Sequence, residues 1–171
     1  MNARAPLFAQ RVVVGVGEIA VSNNPAVTLS TYALGSCLGI VAYDAQAVVG
    51  GILHFMLPDS KVAPDHALAQ PAMFANTGIP LFFRSLRGLR ADLARVRIFV
   101  TGGASVLCGH DAFKIGARNL LAAEALLAQE GFTFDQGATG GTINRTVHLD
   151  VGTGDLTLRT PTGEHAYSLL P

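Results

Sequence analysis

The sequence predicts an α/β (α+β) layered sandwich in which a mixed, largely antiparallel sheet is covered by helices. Short β-branched runs separated by turn residues predict strands, and two longer segments with apolar residues at helical spacing predict helices. These elements follow no regular βαβ order. A chain of 171 residues with 50% hydrophobic content is long enough to bury one sizeable core. We therefore expect one domain over residues 1–171, with mobile ends at 1–10 and 161–171.

Three strands are predicted before residue 60. Residues 12–21 mix Val and Gly with alternating apolar positions, and residues 38–43 and 48–57 are apolar, β-branched runs. Asp44-Ala45-Gln46 separates the last two runs, which indicates a hairpin. Pro58-Asp59-Ser60 ends the third strand.

Helices and further strands are predicted after residue 60. Pro80 suits the first turn of a helix, and Gly131 is a natural stop for an Ala- and Leu-rich helix. The predicted helices are residues 67–75, 79–90 and 115–130, and the predicted strands are residues 96–101, 132–134, 145–149 and 155–159. The last two strands form a hairpin that turns at Gly152 to Gly154.

Composition restricts the class of partner and the compartment. Lys plus Arg and Asp plus Glu both number 12, so the net charge does not favour nucleic-acid binding. The chain has two cysteines, no long apolar segment and no cleavage site near its start. These features predict a cytoplasmic protein with reduced thiols and no direct membrane insertion.

Cys37 and His54 are the candidate catalytic pair. Cys37 follows a Gly-Ser turn and opens one strand of the predicted hairpin, and His54 lies near the end of the other strand. Antiparallel pairing returns His54 toward Cys37, and a thiol that is protonated at neutral pH needs such a base to become nucleophilic. The Thr31 hydroxyl could fix the imidazole tautomer, and backbone N–H groups around Gly35 and Ser36 could bind an oxyanion.

Structural roles compete with this interpretation when spacing alone is considered. A cysteine beside an apolar strand is usually a small core residue, and a histidine in Leu53-His54-Phe55 is usually a core residue with a satisfied nitrogen. Cys108, His110 and His66 offer further ligand types for zinc, but their spacing matches no regular zinc motif. We therefore expect neither a metal nor another cofactor.

Six short segments in a fixed order match a known protein family. They are Leu34-Gly35-Ser36-Cys37, Gly50-Gly51 followed by His54-Phe55-Met56-Leu57-Pro58, Asn76-Thr77-Gly78-Ile79-Pro80, Gly102-Gly103-Ala104, Ile115-Gly116-Ala117-Arg118-Asn119 and Arg145-Thr146-Val147. In this combination the sequence resembles the CheD family of bacterial chemoreceptor glutamine deamidases over nearly its whole length. Residues 108–111 and the tail after Thr160 depart from the family pattern.

The resemblance implies a reaction, a fold and partners. It implies a catalytic triad of Cys37, His54 and Thr31, and an α/β sandwich similar to the catalytic domain of a bacterial toxin deamidase. The implied substrate is glutamine on the cytoplasmic helices of chemoreceptors, and a CheC-type phosphatase is an implied partner. Two alternatives remain: a non-catalytic adaptor that binds such partners, and a thiol peptidase or an esterase that acts on receptor methyl esters.

A groove for the substrate helix is a further prediction. Phe55, Met56 and Phe74 are the candidates to line it, and core packing is the alternative role for each of them.

Overall fold

The computed structural model describes residues 10–106 and 111–171, in which nine strands form two sheets. The strands are β1 (Gln10–Val13), β2 (Glu18–Ser22), β3 (Val27–Leu34), β4 (Leu38–Asp44), β5 (Val49–Phe55), β6 (Arg97–Gly102), β7 (Arg145–Asp150), β8 (Asp155–Thr160) and β9 (Gly163–Ser168). The helices are α1 (Pro64–Ala69), α2 (Ala75–Gly88) and α3 (Ile115–Gln129).

The two sheets pack face to face, and helices cover the outer face of one of them. The five-stranded sheet has the order β1-β3-β7-β8-β9, and the four-stranded sheet has the order β2-β5-β4-β6. Strands β1 and β3 pair in parallel, and the other pairings are antiparallel. The predicted fold class is therefore confirmed, although the sequence analysis does not divide the strands between two sheets.

Alternation along β4 and β5 explains why this sheet is buried on both faces. Val41 and Ile52 point into the layer between the sheets, together with Leu29 and Leu149 of the five-stranded sheet. Their sequence neighbours point the other way, into a second core that α2 and α3 close. Such strands read as continuous apolar runs, which is why the sequence predicts this hairpin correctly.

The first strands differ from the prediction. Residues 12–21 form two strands in different sheets rather than one, because the chain turns through Gly15 to Gly17 between β1 and β2. Strand β3 is not predicted from the sequence. Its core-facing positions include Thr31, and this polar residue interrupts the apolar alternation that identifies a strand.

Several later boundaries also need correction. Helix α2 begins at Ala75, so Pro80 lies inside the helix rather than in its first turn. The helix predicted at 67–75 is instead α1 followed by a short 3₁₀ turn. Residues 132–134 form no strand, and residues 163–168 of the predicted mobile tail form β9, which pairs with β8 along its whole length. The prediction for residues 1–9 falls outside the described residues.

Strand β6, helix α3 and the β7–β8 hairpin lie within one or two residues of the predicted bounds. None of the helices in the part of the chain that the structure describes has the length and hydropathy that a membrane span requires.

Candidate active site

Pairing within the four-stranded sheet fixes the position of His54. On β5, His54 lies opposite Gly39 of β4 on one side and opposite Glu18 of β2 on the other. Its imidazole shares the inward direction of Ile52, and the residue is 2% exposed. Because Gly39 has no side chain, Leu34 and Thr31 of the facing sheet fill the space beside the ring.

Thr31 contacts His54 across the layer between the two sheets. The Thr31 Oγ1 atom lies 2.8 Å from His54 Nδ1 and donates its own hydrogen bond to the Val14 carbonyl at 2.7 Å. A hydroxyl has one proton, so Thr31 Oγ1 must accept from Nδ1–H. The hydrogen-bond network therefore assigns the proton of neutral His54 to Nδ1 and leaves Nε2 as a lone-pair acceptor.

Cys37 directly precedes β4, the strand that pairs with the strand of His54. It precedes Gly39 by two positions, so it shares the inward face of β4, and its half-buried side chain packs against the layer between the sheets. Diagonal neighbours in an antiparallel pair have Cβ atoms about 7–8 Å apart, within reach of side-chain contact. Among the described residues none hydrogen-bonds to His54 Nε2, so no hydrogen bond joins the Cys37 thiol to the base. Catalytic hydrogen bonds of this kind commonly form when substrate binds.

A sharp turn holds Cys37 at the start of β4. Gly102 has a φ of 104°, and a Cβ at this position would collide with the Cys37 carbonyl oxygen. The N–H groups of Gly35 and Ser36 have no acceptor among the described residues, which is compatible with the oxyanion role predicted for this turn. That role stays a prediction.

Comparison with known proteins gives consistent matches. The family model described as CheD chemotactic sensory transduction matches residues 56–160. A probable chemoreceptor glutamine deamidase CheD of Solibacter usitatus is 42% identical over 150 residues, which cover 88% of this chain and 89% of the relative. A second relative, a probable chemoreceptor glutamine deamidase CheD 1 of Syntrophus aciditrophicus, is 40% identical over 152 residues, covering 89% and 95% of the two chains.

The chain belongs to the CheD family. The matched range of the family model begins after Thr31, Cys37 and His54, whereas the alignments to the relatives cover most of the chain. A solved structure of a Neisseria meningitidis protein of the DUF152 family aligns with a TM-score of 0.43 and 11% identity, over 77% of this chain and 62% of that protein.

Burial sets the resting protonation state of Cys37 and His54. Burial raises the pKa of the Cys37 thiol above its ordinary value, against an opposing effect from the residue's own backbone N–H. Burial also lowers the pKa of His54, opposed by the Val14 carbonyl and by the charge of Glu18. Both shifts favour the uncharged forms. At neutral pH the pair therefore rests as thiol and neutral imidazole rather than as an ion pair.

The rate at which iodoacetamide alkylates Cys37 should report this state. The thiolate is the reactive form, so the rate should climb about tenfold per pH unit from pH 6 to about pH 9. The measurement is quantitative mass spectrometry of the Cys37 peptide over time, with glutathione as the reference thiol. His54→Gln should leave the alkaline rise in place. A rate that is already constant between pH 6 and 8 would instead indicate a preformed thiolate and imidazolium.

The predicted substrate groove is only partly compatible with the structure. Phe55 and Phe74 are both 0% exposed and pack in the core beneath the helices, so neither lines a surface groove, and the alternative of core packing holds for them. Met56 is 36% exposed at the end of β5, and for Met56 the substrate contact stays a prediction.

The described residues that were considered for a metal are not brought together as a site. No group of three His, Cys, Asp or Glu side chains within residues 10–106 and 111–171 has the arrangement of a metal site. Cys108 and His110 lie outside the described residues. The imidazole of His66 lies 3.2 Å from the Gln70 amide oxygen and packs edge-on against Phe74.

Two contributors to the site are missed by sequence reasoning. The Val14 carbonyl orients Thr31, and a backbone carbonyl leaves no signal in residue type. Gly39 makes room beside His54, and its position two residues after Cys37 in an otherwise apolar run is the signal that could have identified it.

Proposed function

We propose that this chain is a protein-glutamine deamidase that converts glutamine side chains of chemoreceptors to glutamate, with Cys37 as its nucleophile. The observation that carries the proposal is the hydrogen bond between Thr31 and His54, which orients a base beside a half-buried cysteine. It occurs in a chain whose relatives, aligned over 88–89% of its length, are described as probable chemoreceptor glutamine deamidases.

Acylation is the first half of the proposed reaction. His54 Nε2 takes the Cys37 proton as Sγ attacks the side-chain amide carbon, and backbone N–H groups of the turn at Gly35 to Cys37 stabilise the oxyanion. The new imidazolium is held by Thr31 through Nδ1. It then donates its Nε2 proton to the amide nitrogen, the C–N bond breaks, ammonia leaves, and a thioester joins the substrate carbonyl to Sγ.

Hydrolysis of the thioester completes the cycle. Neutral His54 takes a proton from water, and the hydroxide attacks the thioester carbon. The C–S bond breaks, the Cys37 thiolate regains its proton from His54, and glutamate is released. The net change is one water consumed and one ammonium ion released, because ammonia takes up the proton that the new carboxyl group loses, and a carboxylate replaces a neutral amide on the receptor. No metal or cofactor is required in any step.

The substrate environment and partner extend the proposal. The receptor glutamines are expected on cytoplasmic helices, Met56 is the expected substrate contact at the rim, and a CheC-type phosphatase is the expected regulatory partner. These expectations place the reaction in the cytoplasm.

Mass spectrometry of a receptor cytoplasmic fragment tests the activity. Incubation with the protein in ¹⁸O water should add about 3 Da at each converted glutamine, since –NH₂ is exchanged for –¹⁸OH, whereas glutamate formed before the experiment carries no label. In the same ¹⁸O water a methylesterase that cleaves the acyl–oxygen bond would lower the mass by about 12 Da, since –OCH₃ is exchanged for –¹⁸OH, and a peptidase would split the chain. The control is the same fragment incubated without the protein. Receptor binding without any mass change would overturn the proposal and favour the adaptor.

A further inference from the structure

The side chain of Asn119 links the two strand ends that present Cys37 and His54. Asn119 lies in helix α3 and is fully buried. Its Nδ2 group donates to the Ser36 carbonyl at 3.0 Å and to the Met56 carbonyl at 2.8 Å. Ser36 directly precedes the cysteine, and Met56 follows the histidine by two residues. One amide group therefore spans both segments.

This link lies where the sheet itself ends. The β4–β5 ladder closes at the pair Leu38 and Phe55, so no ladder pairing continues to Cys37 and Met56. The two N–H bonds of the Asn119 amide continue the connection one step beyond the ladder. Both protons of Nδ2 are used, which fixes the orientation of the amide because a flipped group would face two carbonyls with an oxygen.

Each of the three backbone carbonyls of the turn, from Gly35 to Cys37, accepts a hydrogen bond. The Gly35 carbonyl accepts from the Ala104 N–H at 2.8 Å, and the Cys37 carbonyl accepts from the Gly103 N–H at 2.9 Å. The Ser36 carbonyl, between them, accepts from Asn119. Helix α3 packs directly on the Gly103–Ala104 segment, because a Cβ at Gly116 would collide with the Gly103 carbonyl oxygen.

The hydrogen bond to the Ser36 carbonyl also fixes the direction of the Cys37 N–H group. A trans peptide unit is planar, and its C=O and N–H point in opposite directions. The Ser36 carbonyl points toward α3, so the Cys37 N–H points away from α3. That N–H interacts with the residue's own thiol group, where it favours the thiolate.

We propose that Asn119 is a positioning residue, which sets the plane of the Ser36–Cys37 peptide and thereby aims the Cys37 N–H at the developing oxyanion and at Sγ. The inference rests on the proposed function for its catalytic consequence. The Asn119 Oδ1 atom supports this role. It is buried without a hydrogen-bond partner among the described residues, so the two N–H donors account for the presence of an amide at this position.

The test compares Asn119→Leu, which keeps the branched shape of the side chain and removes the donors, with Tyr43→Phe. Tyr43 is the matched control because its buried hydroxyl donates to the Val151 carbonyl at 3.0 Å, at the other end of β4. Asn119→Leu should lower kcat for receptor deamidation about tenfold or more, with KM within about twofold, since the lost stabilisation acts on the transition state. It should also slow alkylation of Cys37 at pH 8 about fivefold, because the thiolate loses an aligned donor.

Alkylation separates this inference from the deamidase proposal, because it needs no receptor. Slower alkylation of Asn119→Leu, with Tyr43→Phe unchanged, supports the positioning role even when the wild-type protein shows no deamidation. Unchanged alkylation rate and kcat in Asn119→Leu overturn the positioning role. An equal decrease of both quantities in Tyr43→Phe also overturns it, because any lost buried hydrogen bond would then have the same effect. If Asn119→Leu does not fold, Asn119→Ala removes the same donors without adding bulk, and the same two outcomes decide.

Discussion

Replacing Cys37 with alanine is expected to reduce receptor deamidation to the rate of the reaction without protein, a loss of at least about 10³-fold. The variant keeps His54, Thr31 and the turn but has no group that can form the thioester. Its stability should stay close to that of the wild type, because the lost side chain is small and half-buried. Initial rates of label incorporation in ¹⁸O water measure the first effect, and thermal unfolding measures the second.

Two matched variants sharpen this expectation. Cys37→Ser keeps the size of the side chain and should be nearly as inactive, since a hydroxyl beside a base of lowered pKa is a far poorer nucleophile. Cys108→Ser removes the other cysteine and should retain wild-type rates. Acid quenching of the wild-type reaction with a glutamine peptide should trap an adduct whose mass is the sum of both partners less about 17 Da of ammonia. Wild-type rates in Cys37→Ala would falsify the assignment of the nucleophile.

The parts of the fold that follow from sequence are those with an uninterrupted local signal. The β4–β5 hairpin combines apolar runs with a polar break at Asp44, and α3 combines Ala- and Leu-rich helical spacing with a stop at Gly131. In contrast, β9 is exposed along its whole length, so it has no apolar periodicity and its strand structure depends on pairing with β8. The sequence around Phe132 and Phe134 predicts a strand, but the segment forms none, and the two side chains pack individually against the core beneath the helices.

The candidate site likewise has one part that can be predicted from sequence and one part that cannot. Antiparallel pairing of β4 with β5 places the segment that follows Cys37 next to the strand of His54, and this pairing can be predicted from sequence. The hydrogen-bond partner of His54 cannot be predicted in this way, because Thr31 belongs to the other sheet. Only the packing of the two sheets brings Thr31 Oγ1 to 2.8 Å from His54 Nδ1. The strand that carries Thr31 is also the one that the sequence analysis misses. A polar residue at a core-facing position breaks the pattern that identifies a strand, and such local violations are expected at functional sites.

His54→Gln should lower kcat about 10³- to 10⁴-fold, because it removes the base for both acylation and hydrolysis. Thr31→Val should have a smaller effect. A hydrogen bond to a charged partner contributes about 1.5–3 kcal/mol, which corresponds to a loss of roughly 10- to 100-fold when the imidazolium loses its acceptor. The Val14 carbonyl, which also favours the charged form of His54, limits that loss. Thr31→Ser keeps the hydroxyl and should retain most of the activity.

The double variant decides whether Thr31 acts through His54. If the hydroxyl serves to hold Nδ1–H and so to present Nε2 toward Cys37, then Thr31→Val has nothing left to impair once the imidazole is gone. Rates of deamidation for His54→Gln and for His54→Gln with Thr31→Val should therefore be equal within about twofold, a coupling that a double-mutant cycle measures directly. A further 10-fold loss in the double variant would mean that Thr31 contributes independently, through the packing of the two sheets. Thermal unfolding of Thr31→Val and Thr31→Ser separates that packing contribution from the chemical one.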